Sequence, residues 1–488
     1  MADTRPDKEN GENGYRSILK GTSIFGGVQM FLILVSLIRG KFVALLLGPA
    51  GMGISSLFNS ASGTIVKAAS LGLNLAVVKE VAQHKDNPSA FAHIMCVAFT
   101  LLRFTALLGA LACALCSRWL SELTFHSPDY TWQFVLLAVA VYFTIAGNGQ
   151  LSVLQGLHEV KKLSKASLVG AVTGLLAGVP LYYFFGTRGI VPGIVILSLT
   201  TYIFYRYSLR HITAREKFNW QQHKSTARRL ISLGTVLLAG DLIGTLATYI
   251  LNIYLRSQGG ETTVGLFQAA TSIAAQYSGA ITAALSLEYF PRLSKAASDN
   301  RLMTDIVNRQ SEIVALAMAP LSCLMIISAP PIIMLLLSEE FMPVLELVRW
   351  MGFGIILRLL QFPMGYIAFA KGNRRVYFLM EGVFLNLSGF LANILFYHFF
   401  GLIGLGYAAV FDYVFSLGVY YVVNHRMYGY TFSRAAARDY LICPLLCLLC
   451  LAGSYLPGTA LPYSLMGIFT AAAAAYALLR LRKLLHKQ

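Results

Sequence analysis

Apolar runs long enough to cross a bilayer as helices recur along nearly the whole chain, separated by short polar or basic connections. They fall at 22–47, 53–78, 90–117, 132–156, 164–186, 188–206, 230–256 and 264–287. Six more follow at 313–337, 345–370, 376–400, 402–424, 438–456 and 462–480. The pattern predicts an all-α integral membrane protein with about fourteen transmembrane helices, numbered here as spans 1 to 14.

Polar positions inside these spans are themselves ordered. Residues 22–83 align without a gap on residues 234–295, at a constant offset of 212. In span 1, Gln29, Ser36 and Gly40 fall on Asp241, Thr248 and Asn252 of span 7. In span 2, Ser56, Asn59, Ser60, Lys67 and Asn74 fall on Gln268, Thr271, Ser272, Gly279 and Ser286 of span 8. Steps of three and four place each set on one helical face. Small polar residues alone let helices pack closely in lipid; aligned stripes on four spans point further, to a shared water-filled cleft. The offset covers six spans, an even number, so the two halves share one orientation and are expected to be related by a pseudo-two-fold axis along the membrane normal. The expected division is an N-terminal tail 1–21, a six-helix lobe 22–206, a basic linker 207–229, a second six-helix lobe 230–424, and 425–488 with spans 13 and 14 and a C-terminal tail.

Composition agrees with a membrane location. Hydrophobic residues make up 56% and charged residues 12% of the chain, and mean hydropathy is +0.63. The net charge of +17 is mostly topological. Placing both termini and every second connection inside the cell collects thirty of the 39 basic residues on one side, from Arg5 through Lys79, Lys161, Arg215, Lys217, Arg292, Arg374 and Arg434 to Lys487. The opposite connections hold only Arg118, Arg188 and Arg256. Both termini are therefore expected to be cytoplasmic. Loop charges scattered in this way do not make a nucleic-acid face. The first twenty residues are polar and contain Pro6, so no cleaved signal peptide is expected. The seven cysteines read as soft core packing rather than disulfides or a metal site. The nine histidines do not cluster along the chain, and no metal ligand set is expected.

Six cations remain inside the spans: Arg39, Lys41, Lys67, Arg103, Arg349 and Arg358. Each would cost roughly 2.5–3.5 kcal/mol facing lipid at the bilayer centre, so together they imply an internal hydrated cavity suited to an anion. Lys67 is the first candidate, mid-span on the polar stripe of span 2 with Asn59 and Asn74; Gln268 is on the matching stripe of span 8. Arg39 shares the Ser36 face of span 1 but lies toward the outer surface, where snorkelling accounts for it, Lys41 and Arg349 equally well. Arg103 and Arg358 are deeper and qualify as substrate ligands or as members of buried ion pairs, with Asp241 or Asp412 as partners. Those two carboxylates are also the candidates for a coupling proton or sodium ion. Glu381 and Glu288 are expected to meet loop cations. No Walker-type phosphate loop is present, so no nucleotide cofactor is expected. A multidrug or cation antiporter would favour acidic rather than basic membrane-depth charge. A polytopic glycosyltransferase or polymerase would need a large outer loop or grouped catalytic residues, which the sequence lacks.

Several motifs carry a family resemblance: Gly48-Pro49-Ala50-Gly51-Met52-Gly53, Leu71-Gly72-Leu73, Gln155-Gly156-Leu157-His158, and Val264-Gly265-Leu266-Phe267-Gln268-Ala269-Ala270 leading to Tyr289-Phe290-Pro291-Arg292-Leu293-Ser294. Over roughly residues 15–430 the chain resembles polysaccharide-repeat flippases of the Wzx (O-antigen translocase) type, within the multidrug/oligosaccharidyl-lipid/polysaccharide exporter superfamily. The resemblance implies two six-helix lobes in a V, with spans 1, 2, 7 and 8 around a central cavity. It implies alternating-access transport of undecaprenyl-diphosphate-linked oligosaccharide to the outer leaflet of a bacterial inner membrane. Partners implied are the lipid bilayer and glycan polymerase or assembly proteins, with the flippase itself a monomer. Spans 13 and 14 exceed the minimal twelve, as in the lipid II flippases, so lipid II remains an alternative substrate.

Overall fold

The computed structural model describes the backbone of residues 8–211, 216 and 218–485; the side chains of 8–26, 236–237, 280–281, 283–288 and 485 are not among those described. Arg5, Arg215, Lys217, Lys487 and the side chain of Glu288 therefore lie outside the described residues. Hydrocarbon offers the backbone no hydrogen-bond partner, so each crossing must satisfy itself as a helix, and the described residues contain helices and turns but no strand.

The helices are α1 (Lys8–Ser70), α2 (Leu73–His84), α3 (Pro88–Leu115), α4 (Ser117–Phe125), α5 (Thr131–Gly156), α6 (Val160–Phe185), α7 (Ile190–Ser208) and α8 (Trp220–Lys295). They continue as α9 (Asn300–Leu336), α10 (Leu345–Ala370), α11 (Arg374–Tyr377), α12 (Leu385–Phe400), α13 (Gly404–Tyr428), α14 (Arg434–Gly453) and α15 (Ala460–Leu485). Ten continuous helical stretches are apolar enough to span a membrane, and four of them, Gly27–Ser70, Val160–Ser208, Leu238–Gly279 and Arg374–Tyr428, are 42–55 residues long. Each of these four is a pair of crossings broken at one glycine, which restores the fourteen spans read from the sequence.

The breaks share a conformation. Gly48 (φ 63°, ψ −170°) and Gly260 (φ 73°, ψ −178°) occupy a region essentially closed to residues with a Cβ. Gly186 (φ 56°, ψ −135°) and Gly401 (φ 62°, ψ −144°) turn the chain in a similar way between spans 5 and 6 and between spans 11 and 12. Gly48 and Gly260 are separated by the same 212 positions as the polar stripes. Just beyond them, a Cβ at Gly53 would fall on the Glu261 carbonyl oxygen, and a Cβ at Gly265 on the Pro49 carbonyl oxygen. These are equivalent positions of the repeat touching reciprocally. Ser56 and Gln268, again 212 apart, join side chain to side chain at 2.9 Å.

Two compact units emerge from the packing. The first comprises Met1–Leu47 and Leu57–Leu242; the second, Gly48–Ser56 and Ile243–Gln488. The boundary falls within α8, because the beginning of that helix is anchored in the first unit. Arg229 reaches the buried Glu80 carboxylate of α2 at 2.7 Å, and Gly234 lies backbone to backbone against Gly72. The first unit's core includes Leu73, Val77, Met95, Leu102, Val153 and Leu230. In the second unit α14 and α15 dock on α9. Fully buried Asp439 takes Arg480 at 3.0 Å and the Tyr476 hydroxyl at 2.6 Å, so its charge is paired where an orphan would be costly.

Two elements depart from the sequence reading. Span 2 stops at Leu71 and Gly72, both at positive φ, before α2 resumes. Span 11 opens with a π-helical stretch, Phe378–Phe384, which carries Glu381 inward.

The reciprocal glycine contact leaves no room for a methyl group. Gly53→Ala and Gly265→Ala are each expected to lower stability by about 1–3 kcal/mol through overpacking. Thermal unfolding of the purified protein in detergent checks this, and unchanged melting temperatures in both variants would remove the contact from the fold's support.

Candidate functional site

The first unit contains a cavity of about 610 Å³, within the range of small-molecule sites. Five helices form it. The second half of α1 contributes Asn59 and Lys67, the start of α2 contributes Asn74, α5 contributes Thr144 and Asn148, and α7 and α8 complete it with Ser198 and Asp241 among others.

Local structure explains the charged pair at its centre. Lys67 lies in the last turn of α1, immediately before the Leu71–Gly72 break. Because neither Gly72 nor Gly234 has a side chain, α8 approaches that break at backbone distance. Two turns further along α8, Asp241 lies on the same face as Gly234 and meets Lys67 with Oδ2 2.7 Å from Nζ. The side chains are 36% and 69% exposed, in a cavity lined by polar residues such as Asn59, Asn74 and Asn148. A pair this wet is worth about 0.2–1 kcal/mol, which makes it easy to open. Nearby, Asn74 Oδ1 is buried and has no hydrogen-bond partner in the structure.

The cavity thus brings together Lys67, Asn59, Asn74 and Asp241. The other sequence candidates lie elsewhere. Arg39, on the first half of α1, donates to the Tyr182 hydroxyl at 3.3 Å. Arg103 is exposed on α3, away from the cavity lining. Gln268 belongs to the second unit, where it accepts from Ser56 and donates to Ser272 Oγ at 3.0 Å. Arg358 and Asp412 are also in the second unit.

The pairing of charges differs from expectation. Asp241 meets Lys67 rather than Arg103 or Arg358, because the glycine approach brings α8 to the end of α1. Asp412 is buried and accepts from Ser388 Oγ at 2.6 Å. Glu381 meets no loop cation. The π-helical stretch turns it into the second unit, where it accepts from the Tyr420 hydroxyl and feels the Arg358 charge. The histidines also differ from the sequence reading, for His93 and His223 stack with ring centroids 4.3 Å apart.

Thr144, Asn148 and Ser198 escaped notice because span 4 and span 6 have no repeat-aligned stripe to mark them. Their helical spacing was the available signal, diluted by other small residues.

Comparison with known proteins was informative. The profile of the family described as "Polysaccharide biosynthesis protein" matches residues 42–346, well over half of the chain. The chain is 26% identical over 353 residues to the lipid III flippase of Escherichia coli (strain K12), covering 71% of this chain and 83% of that protein. Among solved structures, a lipid II flippase (MurJ) in an inward closed conformation superposes with a TM-score of 0.73 at 12% identity, covering 94% of this chain and 99% of the other. A multidrug resistance MATE family transporter of the MOP superfamily, inward-facing, gives 0.68 at 14% identity, covering 84% and 96%. The fold is therefore that of these multi-pass membrane transporters, as the sequence reading expected.

Since the Lys67–Asp241 pair is wet, Lys67→Gln and Asp241→Asn are each expected to cost less than about 1 kcal/mol, with a double-mutant coupling of about 0.2–1 kcal/mol. Thermal unfolding of the four proteins measures it. A loss above about 3 kcal/mol in either single variant would mark the pair as a buried clamp instead.

Proposed function

This chain belongs to the polysaccharide biosynthesis protein family, and from that premise and the Lys67 cavity we propose that it is a flippase for lipid-linked oligosaccharide. In this reading it is a transporter, not an enzyme. It moves undecaprenyl-diphosphate-linked glycan repeat units from the cytoplasmic to the outer leaflet of a bacterial inner membrane, with both termini cytoplasmic. It works as a monomer that hands substrate to glycan polymerase or assembly proteins.

The observation that carries the proposal is Lys67, a cation held in an aqueous cavity by a partner weak enough to be displaced. A diphosphate cannot enter hydrocarbon unaided, because the Born cost of an isolated charge there is on the order of tens of kcal/mol. An ammonium presents three N–H donors to phosphate oxygens, and such charge-assisted bonds are about twice as strong as neutral ones. Asn59, Asn74 and Asn148 offer the amide donors and acceptors that sugar hydroxyls require. The unpartnered Asn74 oxygen in particular suits a hydroxyl donor.

The same pair supplies a coupling step. A proton or sodium ion taken up by Asp241 weakens its hold on Lys67 and frees the ammonium for the diphosphate. Release of the ion restores the pair and displaces the headgroup. Alternating access then requires only that the cavity open to one leaflet with Asp241 neutralised and to the other with the pair closed. Asp412, held by Ser388 in the second unit, is the alternative ion site.

Deleting the gene is expected to abolish surface glycan and accumulate a diphosphate-linked oligosaccharide in the inner leaflet. Wild-type chain should restore display, whereas Lys67→Gln, present in the membrane at equal amount, should restore less than one-tenth of it. Lipid extraction with mass analysis reads the outcome. Accumulated lipid II would reassign the substrate, and normal glycan with altered drug sensitivity would overturn the proposal.

A further inference from the structure

Away from the cavity, at the polar ends of α3 and α8, two histidines and a carboxylate converge. His93 is near the start of α3, His223 is in the first turn of α8, and Glu216 is in the connection before α8. His93 Nδ1 and His223 Nε2 lie 3.3 and 3.2 Å from the same carboxylate oxygen, Glu216 Oε1. His223 is fully buried, yet its Nε2 makes no hydrogen bond, because the nearby carboxylate is out of line. A buried imidazole nitrogen aimed at an acceptor it does not bond lacks a partner between them.

The outer nitrogens are already held by oxygen. His223 Nδ1 is 2.7 Å from the Asn219 carbonyl oxygen and 3.1 Å from the Asn219 amide nitrogen. The amide can only donate and the carbonyl only accept, so the two contacts belong to opposite tautomers, and a metal at Nε2 requires the one with the proton on Nδ1. His93 Nε2 is 3.2 Å from Thr226 Oγ1. A proton there leaves the His93 lone pair on Nδ1, again facing Glu216. Metal-ligating histidines are typically fixed in this way, the remote N–H bonded to a carbonyl or hydroxyl oxygen and the free nitrogen turned inward.

Size agrees as well. Zinc bonds of about 2.0–2.1 Å to nitrogen and oxygen give tetrahedral ligand–ligand edges of about 3.3–3.4 Å. The two N···O separations already match. Three protein ligands with the fourth position left to water is a zinc geometry of the open type.

We infer that His93, Glu216 and His223 bind a zinc-class divalent ion, with water as fourth ligand, joining the connection before α8 to the start of α3. Binding turns the rings out of their stack; the His93 and Glu216 side chains, 29% and 35% exposed, have room to do so while His223 stays fixed. The site is independent of the transport cavity, and its test does not depend on transport.

The experiment uses the full chain purified with a histidine-free tag, stripped with chelator and dialysed against zinc chloride. One zinc per chain is expected at micromolar affinity or tighter. Affinity should fall at least tenfold in His93→Ala and in Glu216→Gln, both of which change partly exposed side chains, and in His223→Gln if that variant folds. Cobalt chloride should give visible absorption that His93→Ala and Glu216→Gln each diminish. Zinc uptake unchanged in His93→Ala and Glu216→Gln, or no uptake by the wild type, would overturn the site.

Discussion

A charge or an unbonded backbone group in hydrocarbon costs several kcal/mol, and nearly every choice this chain makes answers to that cost. The crossings are helical because only a helix bonds its own backbone. Where two crossings must join tightly, the turn is left to Gly48, Gly186, Gly260 and Gly401, which reverse the chain without a bulky loop. Several charges within the spans are met by partners. Lys67 has Asp241 and a cavity, Asp439 has Arg480 and Tyr476, and Glu381 has Tyr420.

These partnerships are not equivalent. Asp439 is sealed from solvent, so its pair behaves as a clamp fastening α15 to α14. Lys67 and Asp241 are partly exposed in their cavity, so their pairing is the weaker of the two. Both are carboxylate–cation pairs at similar separation; burial alone distinguishes scaffold from site. The distinction rests on dielectric, which scales the same Coulomb attraction severalfold between wet and dry settings.

How far the sequence carried this reading depends on range. The fourteen spans were legible because twenty apolar residues in a row have few other uses. The repeat was legible because Ser56 and Gln268 stand among ordered polar steps, and the structure joins those two residues directly. The pairing of Lys67 with Asp241 was not, since it depends on Gly72 and Gly234 closing at backbone distance, and a glycine in a sequence does not announce its neighbour. Glu381 was misplaced because a π-helical stretch shifts the helical phase, and no composition rule predicts that shift. His93 and His223 looked unrelated because only tertiary packing brings the ends of α3 and α8 together.

The Ser56–Gln268 contact makes the two repeats unequal partners at this point. Two positions equivalent in the repeat carry unlike side chains, a donor and an acceptor that complete each other. Two serines there would be too short to reach, and two glutamines would crowd the point where Gly53 and Gly265 already touch backbone. A half of this protein paired with a copy of itself would meet one of those faults. At this contact the repeats are complements rather than duplicates.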